Sequence, residues 1–326
     1  MLLPIASIAL GLALLVWSAD RFVIGAAALA RNLGVPPLLV GLTVVGFGTS
    51  APEILVSTMA ALQGNTGIAI GNAVGSNIAN IALILGTTAL VAPLSVQSDM
   101  LRREYPLLLL VTVAVFLLLL DRDLDLTDGL ILLGGLVFSM SLLVRIGLQR
   151  RDHDPLAEEI EAEVPGDLRT SAAITWFAIG LIVLVLSSRL LVWGAVEMAT
   201  ALGVSDLVIG LTIVAIGTSL PELAASIASA LKGEPDLAIG NVVGSNLWNL
   251  LAVLGVPALL APGAIPAEAL DRDMLVMLAL TLALFVMGRS AQTHGTINRI
   301  EGGVLLSSFI AYQSWVIWQA HTAASS

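Results

Sequence analysis

Apolar residues run along this chain in blocks long enough to cross a lipid bilayer. The pattern predicts ten helical spans. Five lie near residues 3–31, 36–63, 67–92, 101–120 and 126–147, and five near 170–200, 205–231, 236–261, 272–288 and 298–319. At about 1.5 Å of rise per residue, such blocks cover the roughly 30 Å of hydrocarbon in a bilayer. The expected fold class is an all-α polytopic membrane protein. The opening stretch "MLLPIASIALGLALLVWSAD" lacks the basic leading region of a signal peptide. Ser187 to Gly194 resemble its end from deep inside the chain, so it reads as the first span.

Polar positions interrupt the pattern twice in the same way. Residues 41–57, "GLTVVGFGTSAPEILVS", match 210–226, "GLTIVAIGTSLPELAAS", at 10 of 17 positions. Residues 69–86, "AIGNAVGSNIANIALILG", match 238–255, "AIGNVVGSNLWNLLAVLG", at 11 of 18. Both matches share an offset of 169, the mark of a duplicated unit. The expected organisation is a first five-helix repeat (1–147), an acidic linker (148–168) and a second five-helix repeat (169–326), integrated into one transmembrane domain. An odd number of spans per repeat inserts the second half upside down, the inverted-repeat plan of many secondary transporters.

Composition agrees, with 57% hydrophobic and 12% charged residues. The net charge of −10 is concentrated in the linker around His153 to Asp167, "HDPLAEEIEAEVPGD", read as a solvated hinge or, on the functional side, a calcium-sensing or gating segment. Basic residues set the orientation. With the N-terminus outside, Arg31, Arg102, Arg103, Arg145, Arg150, Arg151, Arg169, Lys232, Arg289 and Arg299 fall on the cytoplasmic side, and Arg122 and Arg272 outside. Arg21 and Arg189 lie within helices. The expected location is the cell membrane, with both termini extracytoplasmic and the linker cytoplasmic. There is no cysteine, hence no disulfide framework or thiolate site.

The candidate chemistry sits where the pattern repeats. Glu53 is the one ionisable side chain between Asn32 and Asp99. A carboxylate at mid-membrane costs about 2.5–3.5 kcal/mol on insertion scales, so it needs a compensating partner. On a helix, Gly46, Thr49, Ser50, Glu53 and Ser57 share one face, and Ala215, Thr218, Ser219, Glu222 and Ser226 repeat that face. Pro52 and Pro221 withhold an N–H inside these helices, which frees carbonyls around Gly46–Thr49 and Ala215–Thr218 to turn inward. In the second motif Asn72, Ser76 and Asn80 align, as do Asn241, Ser245 and Asn249, while Gly71, Gly75, Gly240 and Gly244 have the small-xxx-small spacing of close helix packing. Ser76, Asn80, Ser245 and Asn249 read as ligands. Asn72, Asn77, Asn241 and Asn246 read either as ligands or as packing contacts. The pooled donors are hard oxygens, which suit Ca²⁺ and Na⁺ and disfavour zinc, copper and iron.

These four segments resemble the cation/calcium exchanger superfamily, most closely its compact prokaryotic sodium/calcium exchangers. The carriers of the likeness are "GTSAPE" with Glu53, "GTSLPE" with Glu222, "GNAVGSNIAN" and "GNVVGSNLWN". The resemblance implies one calcium site between Glu53 and Glu222, with backbone oxygens of Thr49 and Thr218. It implies about three sodium sites formed by those glutamates, Ser50, Ser76, Ser219, Ser245 and backbone oxygens of Gly46 and Ala215. Asn80 and Asn249 would complete the centre, and the first and sixth helices would slide across the core. Several members carry aspartate where Asn249 stands, including potassium-dependent ones. With asparagine at both mates, two carboxylates remain, which argues against potassium dependence.

The reading that follows is an electrogenic Na⁺/Ca²⁺ antiporter exporting calcium, and the alternative is a Ca²⁺/H⁺ antiporter. A cation channel would share these residues, but inverted broken-helix repeats favour a transporter. No enzyme is expected. His153, His294 and His321 fall in loops or the tail, away from any buried serine, and no HExxH motif occurs. Beyond the transported ions no cofactor is expected. The expected partners are those ions and the bilayer, with no nucleic acid and no obligatory protein partner.

Overall fold

The computed structural model describes residues 2–34, 46–95, 101–150, 168–288 and 296–325. The predicted start of the second helix (36–45), the acidic segment His153–Asp167, and Arg151, Arg289 and His294 lie outside the described residues. The chain is almost wholly helical. Its segments are α1 (Leu2–Asn32), α2 (Gly46–Leu62), α3 (Thr66–Val91), α4 (Leu101–Leu118), α5 (Leu126–Arg150), α6 (Thr170–Leu202), α7 (Asp206–Thr218), α8 (Leu220–Lys232), α9 (Pro235–Leu260), α10 (Met274–Gly288) and α11 (Arg299–Ser325). Seven of these are long and apolar enough to cross a membrane, and α7 with α8 form a further span bent by 42°. The protein is an integral membrane protein. His321, expected in a tail, sits on the exposed last turns of α11.

Helix ends repeat with the sequence. Gly34, Gly64, Gly203 and Gly233 all adopt positive φ and close α1, α2, α6 and α8, and the second pair stands 169 residues beyond the first. Four segments widen into π turns: Ala79–Leu85 inside α3, Gly210–Val214 inside α7, Asn249–Val253 inside α9, and Ala269–Asp273 leading into α10. Such turns often mark functional positions in helices. Here two of them carry Asn80 and Asn249.

Glycine sets the tertiary frame. A Cβ built on Gly25 would lie 2.3 Å from the Phe177 backbone nitrogen, and one on Gly180 would lie 2.5 Å from that of Phe22. Gly11 meets Leu191 at 3.1 Å, and Gly194 meets the Pro4 carbonyl at 3.0 Å. As α1 ascends in number its partners in α6 descend, so the two helices run antiparallel in contact along their length. Adding 169 carries Gly11 and Gly25 of α1 to Gly180 and Gly194 of α6, and subtracting it carries their α6 partners Leu191 and Phe177 to Phe22 and Ile8, which Gly180 and Gly194 meet in turn. A related correspondence, with α5 and α11 matched at an offset of 173, joins α3 to α11 at Gly86 and Gly302, and α9 to α5 at Gly255 and Gly129.

Two short antiparallel ladders tie loops together. β1 (Leu94–Ser95) pairs with β4 (Thr296–Ile297), and β2 (Asp123–Leu124) pairs with β3 (Gly263–Ala264). Around them two buried apolar clusters form. One joins α3, α4, α9 and α10, and the other joins α1, α2, α6 and α7.

The α1–α6 contact predicts a graded response. Gly25→Ala forces backbone against backbone and should cost about 1–3 kcal/mol, the range for overpacking. Gly134→Ala, which enters open space on α5, should be neutral or slightly stabilising because alanine favours helix. Thermal unfolding in detergent checks this; equal midpoints for the two variants would refute the close-contact account.

Candidate cation site

The repeated motifs meet at the centre of the bundle. α2 supplies Gly46 at its first position, then Thr49, Ser50, Glu53 and Ser57, and α3 supplies Asn72, Ser76 and Asn80. Ala215 and Thr218 come from α7, Ser219 stands at the break, Glu222 and Ser226 come from α8, and Asn241, Ser245 and Asn249 from α9. Glu53 and Glu222 are each 1% exposed, and Ser50, Ser76, Thr218, Ser219, Ser245, Asn80 and Asn249 are buried beside them. The two carboxyl groups lie near enough for their charges to interact.

Each glutamate is held by the same device. Asn72 Nδ2 donates to the Glu53 backbone carbonyl at 3.2 Å and to Ser57 Oγ at 2.9 Å. Asn241 Nδ2 donates to the Glu222 carbonyl at 3.3 Å and to Ser226 Oγ at 3.1 Å. The serines complete the pattern by donating to the carbonyls of Ala69 (3.2 Å) and Ala238 (3.4 Å). Asn72 and Asn241 therefore fix the backbone that aims the glutamates, a role that residue type alone left open. The one available signal was the glutamate-to-asparagine spacing of 19, which occurs in both halves.

The two halves also interlock through polar bonds. Ser219 Oγ donates to Glu53 Oε1 at 3.4 Å, Thr218 Oγ1 to Asn72 Oδ1 at 3.0 Å, and Asn80 Nδ2 to Asn246 Oδ1 at 3.0 Å. Within the second half, Ser245 Oγ donates to Glu222 Oε1 at 3.4 Å. Asn77 turns away to Met277 Sδ at 3.4 Å.

What remains is a set of buried oxygens without protein partners: Ser50 Oγ, Glu53 Oε2, Ser76 Oγ, Asn80 Oδ1, Glu222 Oε2 and Asn249 Oδ1. Leaving a buried polar group unpaired costs about 1–3 kcal/mol, more when it is charged. Among the described residues neither glutamate has a basic partner. No group of three or more His, Cys, Asp or Glu that could hold a metal occurs among those residues. The arrangement thus combines two carboxylates with neutral oxygens, a donor set suited to hard cations.

The prolines act differently from the symmetric expectation. Pro52 sits inside an unbroken α2, whereas the helix stops at Ser219 just before Pro221. The Ala215 carbonyl, expected to turn inward, accepts from Ser219 N at 3.1 Å and from Thr218 Oγ1 at 3.4 Å. A cation there would replace the longer, weaker of the two.

Fold and centre together define a helical membrane protein with paired carboxylates at its core. The family model described as sodium/calcium exchanger protein matches residues 3–145 and 172–318, and the chain belongs to that family. The CaxA protein of Alkalimonas amylolytica is 52% identical over 313 residues, covering 96% of this chain and 98% of its own. The sodium/calcium exchanger MaX1 of Methanosarcina acetivorans is 33% identical, covering 93% and 95%. A solved structure of the sodium-calcium exchanger NCX_Mj, soaked with Na⁺ and Sr²⁺, superposes with a TM-score of 0.65 at 33% identity, covering 95% of this chain and 97% of that one.

The pinning contacts give a second expectation. Asn72→Ala leaves the Glu53 carbonyl and the Ser57 and Thr218 hydroxyls short of a partner, and should lower stability by about 1–3 kcal/mol. Ser141→Ala removes a hydroxyl that bonds only its own helix at Val137 and should change little. Comparable unfolding midpoints for both variants would mean that Asn72 is only a packing contact.

Proposed function

We propose that this protein is a sodium/calcium antiporter that exports Ca²⁺ against about three Na⁺ by alternating access. The observation that carries the reading is the pair of buried glutamates, each with one carboxylate oxygen bonded by a serine and the other without a partner. Calcium lies between Glu53 and Glu222, with backbone oxygens of Thr49 and Thr218. Sodium uses the glutamates, Ser50, Ser76, Ser219, Ser245 and the carbonyls of Gly46 and Ala215, with Asn80 and Asn249 completing the centre. The names of MaX1 and NCX_Mj support sodium as the counter-ion. The transported ions are the only small partners proposed. The bilayer is the surrounding medium, and the protein is a carrier rather than an enzyme.

The proposed architecture is ten spans in two inverted repeats, 1–147 and 169–326. Parity supports it. Paired loops must lie on one side of the membrane, so an even number of crossings separates β1 from β4 and β2 from β3. Counting α7 and α8 as one span and α10 as another gives six and four. Dropping α10 makes the first count odd, and dropping the broken span makes both odd. The antiparallel α1–α6 contact, repeated at 169, supports the inversion. Basic-residue bias then puts both termini outside and the acidic linker in the cytoplasm.

Charge gives the decisive test. Two carboxylates and one Ca²⁺ cancel, whereas three Na⁺ leave one positive charge on the carrier. A positive charge moved through 100 mV is worth about 2.3 kcal/mol. In proteoliposomes loaded with sodium, calcium uptake should follow the sodium gradient and accelerate when the interior is made positive. Rates indifferent to voltage would refute the stoichiometry. Uptake driven by a pH jump without sodium would favour the proton-coupled alternative. Glu53→Gln and Glu222→Gln should each abolish exchange in a folded protein, because each removes a carboxylate that only a cation neutralises; exchange at the wild-type rate by either variant would overturn the site.

A further inference from the structure

The last helix, α11, exposes Ile300, Ile310 and Trp318 on its outer face, yet it turns Tyr312 and Gln313 inward at 5% and 9% exposure. Both reach π turns. Tyr312 donates to Asp273 Oδ1 at 2.8 Å, at the end of the turn Ala269–Asp273. Gln313 Nε2 donates to the Leu211 carbonyl at 3.0 Å, inside the turn Gly210–Val214 that leads directly to Ala215. An extra residue in a π turn rotates everything after it by about 100° relative to an α-helix. The rotation of Ala215, Thr218 and Ser219 about α7 is therefore set at this turn. On its other side Leu211 rests against α3, where a Cβ on Gly75 would come within 2.9 Å of Leu211 Cα.

We propose that Gln313 is a positioning residue for the second-half arm of the cation site, holding the π turn of α7 so that Ala215, Thr218 and Ser219 face Glu53. The inference rests on the antiporter reading. The first-half counterpart of the turn, 41–45, lies outside the described residues, but the sequence shows that the donor is not duplicated. Gly129 on α5 packs against the Leu259 backbone as Gly302 on α11 packs against that of Leu90, and this offset of 173 between the two helices matches Gln313 with Met140, whose side chain has no N–H to give. Without the amide the turn relaxes toward α geometry and the arm rotates away. Glu222 lies beyond the 42° bend at Ser219, so the rotation reaches it less directly. Ala215 and Ser219 are assigned to sodium, and calcium loses only the backbone oxygen of Thr218 while keeping both carboxylates, so the loss falls on sodium more than calcium.

Gln313→Met keeps the volume and removes the donor. The full-length protein in detergent is titrated separately with Na⁺ and Ca²⁺ at constant ionic strength, and resistance to heating reports binding. The sodium concentration for half-maximal stabilisation should rise about fivefold, as for loss of one net hydrogen bond, while that for calcium stays within about twofold. Retained calcium stabilisation shows that the variant is folded. Gln313→Asn, whose amide stops short of Leu211, should repeat the sodium-selective loss and serves if the methionine variant does not fold. An unchanged sodium response, or equal shifts for both ions, overturns the positioning role. A wild type that answers to calcium but not to sodium overturns the antiporter reading and this inference with it. A wild type that answers to both while Gln313→Met titrates identically overturns this inference alone.

Discussion

A carboxylate inside a membrane protein must be neutralised by something, and this chain buries two near one another. Removing an ion from water costs several kcal/mol even after relaxation, and a like charge nearby adds to it. A basic residue could settle the account permanently, but among the described residues Glu53 and Glu222 have none. The surrounding groups are serine, threonine and asparagine, which offer oxygen without adding positive charge. Neutralisation is thus left to something that can arrive and leave. A fixed ion pair would make the same core stable and inert.

That demand explains how much of the molecule goes into holding backbone rather than ligand. Asn72 and Asn241 spend their amides on the glutamate carbonyls, and Ser57 and Ser226 spend their hydroxyls on the next helix. Unpaired oxygens are tolerable only if the scaffold around them cannot collapse to pair them. The glycine contacts serve the same end at larger scale. Where α1 meets α6 at Gly25 and Gly180, backbone touches backbone, leaving no soft side chain to yield.

The all-helical membrane character, the repeated motifs and the need to bury two glutamates were legible in the sequence because hydropathy, duplication and the cost of a buried charge are properties of residue type and spacing. The asymmetry was not. Pro52 and Pro221 look equivalent as residues, yet α2 runs on through the first and the chain breaks before the second. The break depends on what the neighbouring helices offer the freed backbone. The π turns at Asn80 and Asn249 add one residue to a helix without any breaker residue to announce it. Tyr312 and Gln313 read as two polar residues on an apolar helix, and only the fold reveals that each reaches a π turn.

In the inverted architecture proposed above, identical ligands would make the two faces of the carrier equal in energy, but the packing of the two halves differs. Phe22 contacts Phe177 at 5.1 Å and Phe47 at 6.0 Å between ring centres, and Phe47 contacts Trp248 at 5.3 Å. Their counterparts 169 residues away are Leu191, Ile8, Ile216 and Ala79, all aliphatic. Aromatic pairs contribute about 0.5–1.5 kcal/mol beyond their buried area, so these contacts are stronger than the aliphatic ones at the positions 169 residues away. At about 1.4 kcal/mol per factor of ten, such a difference is enough to bias which side opens. In the proposed carrier the ligands can therefore stay symmetric while a preference is written into the packing around them.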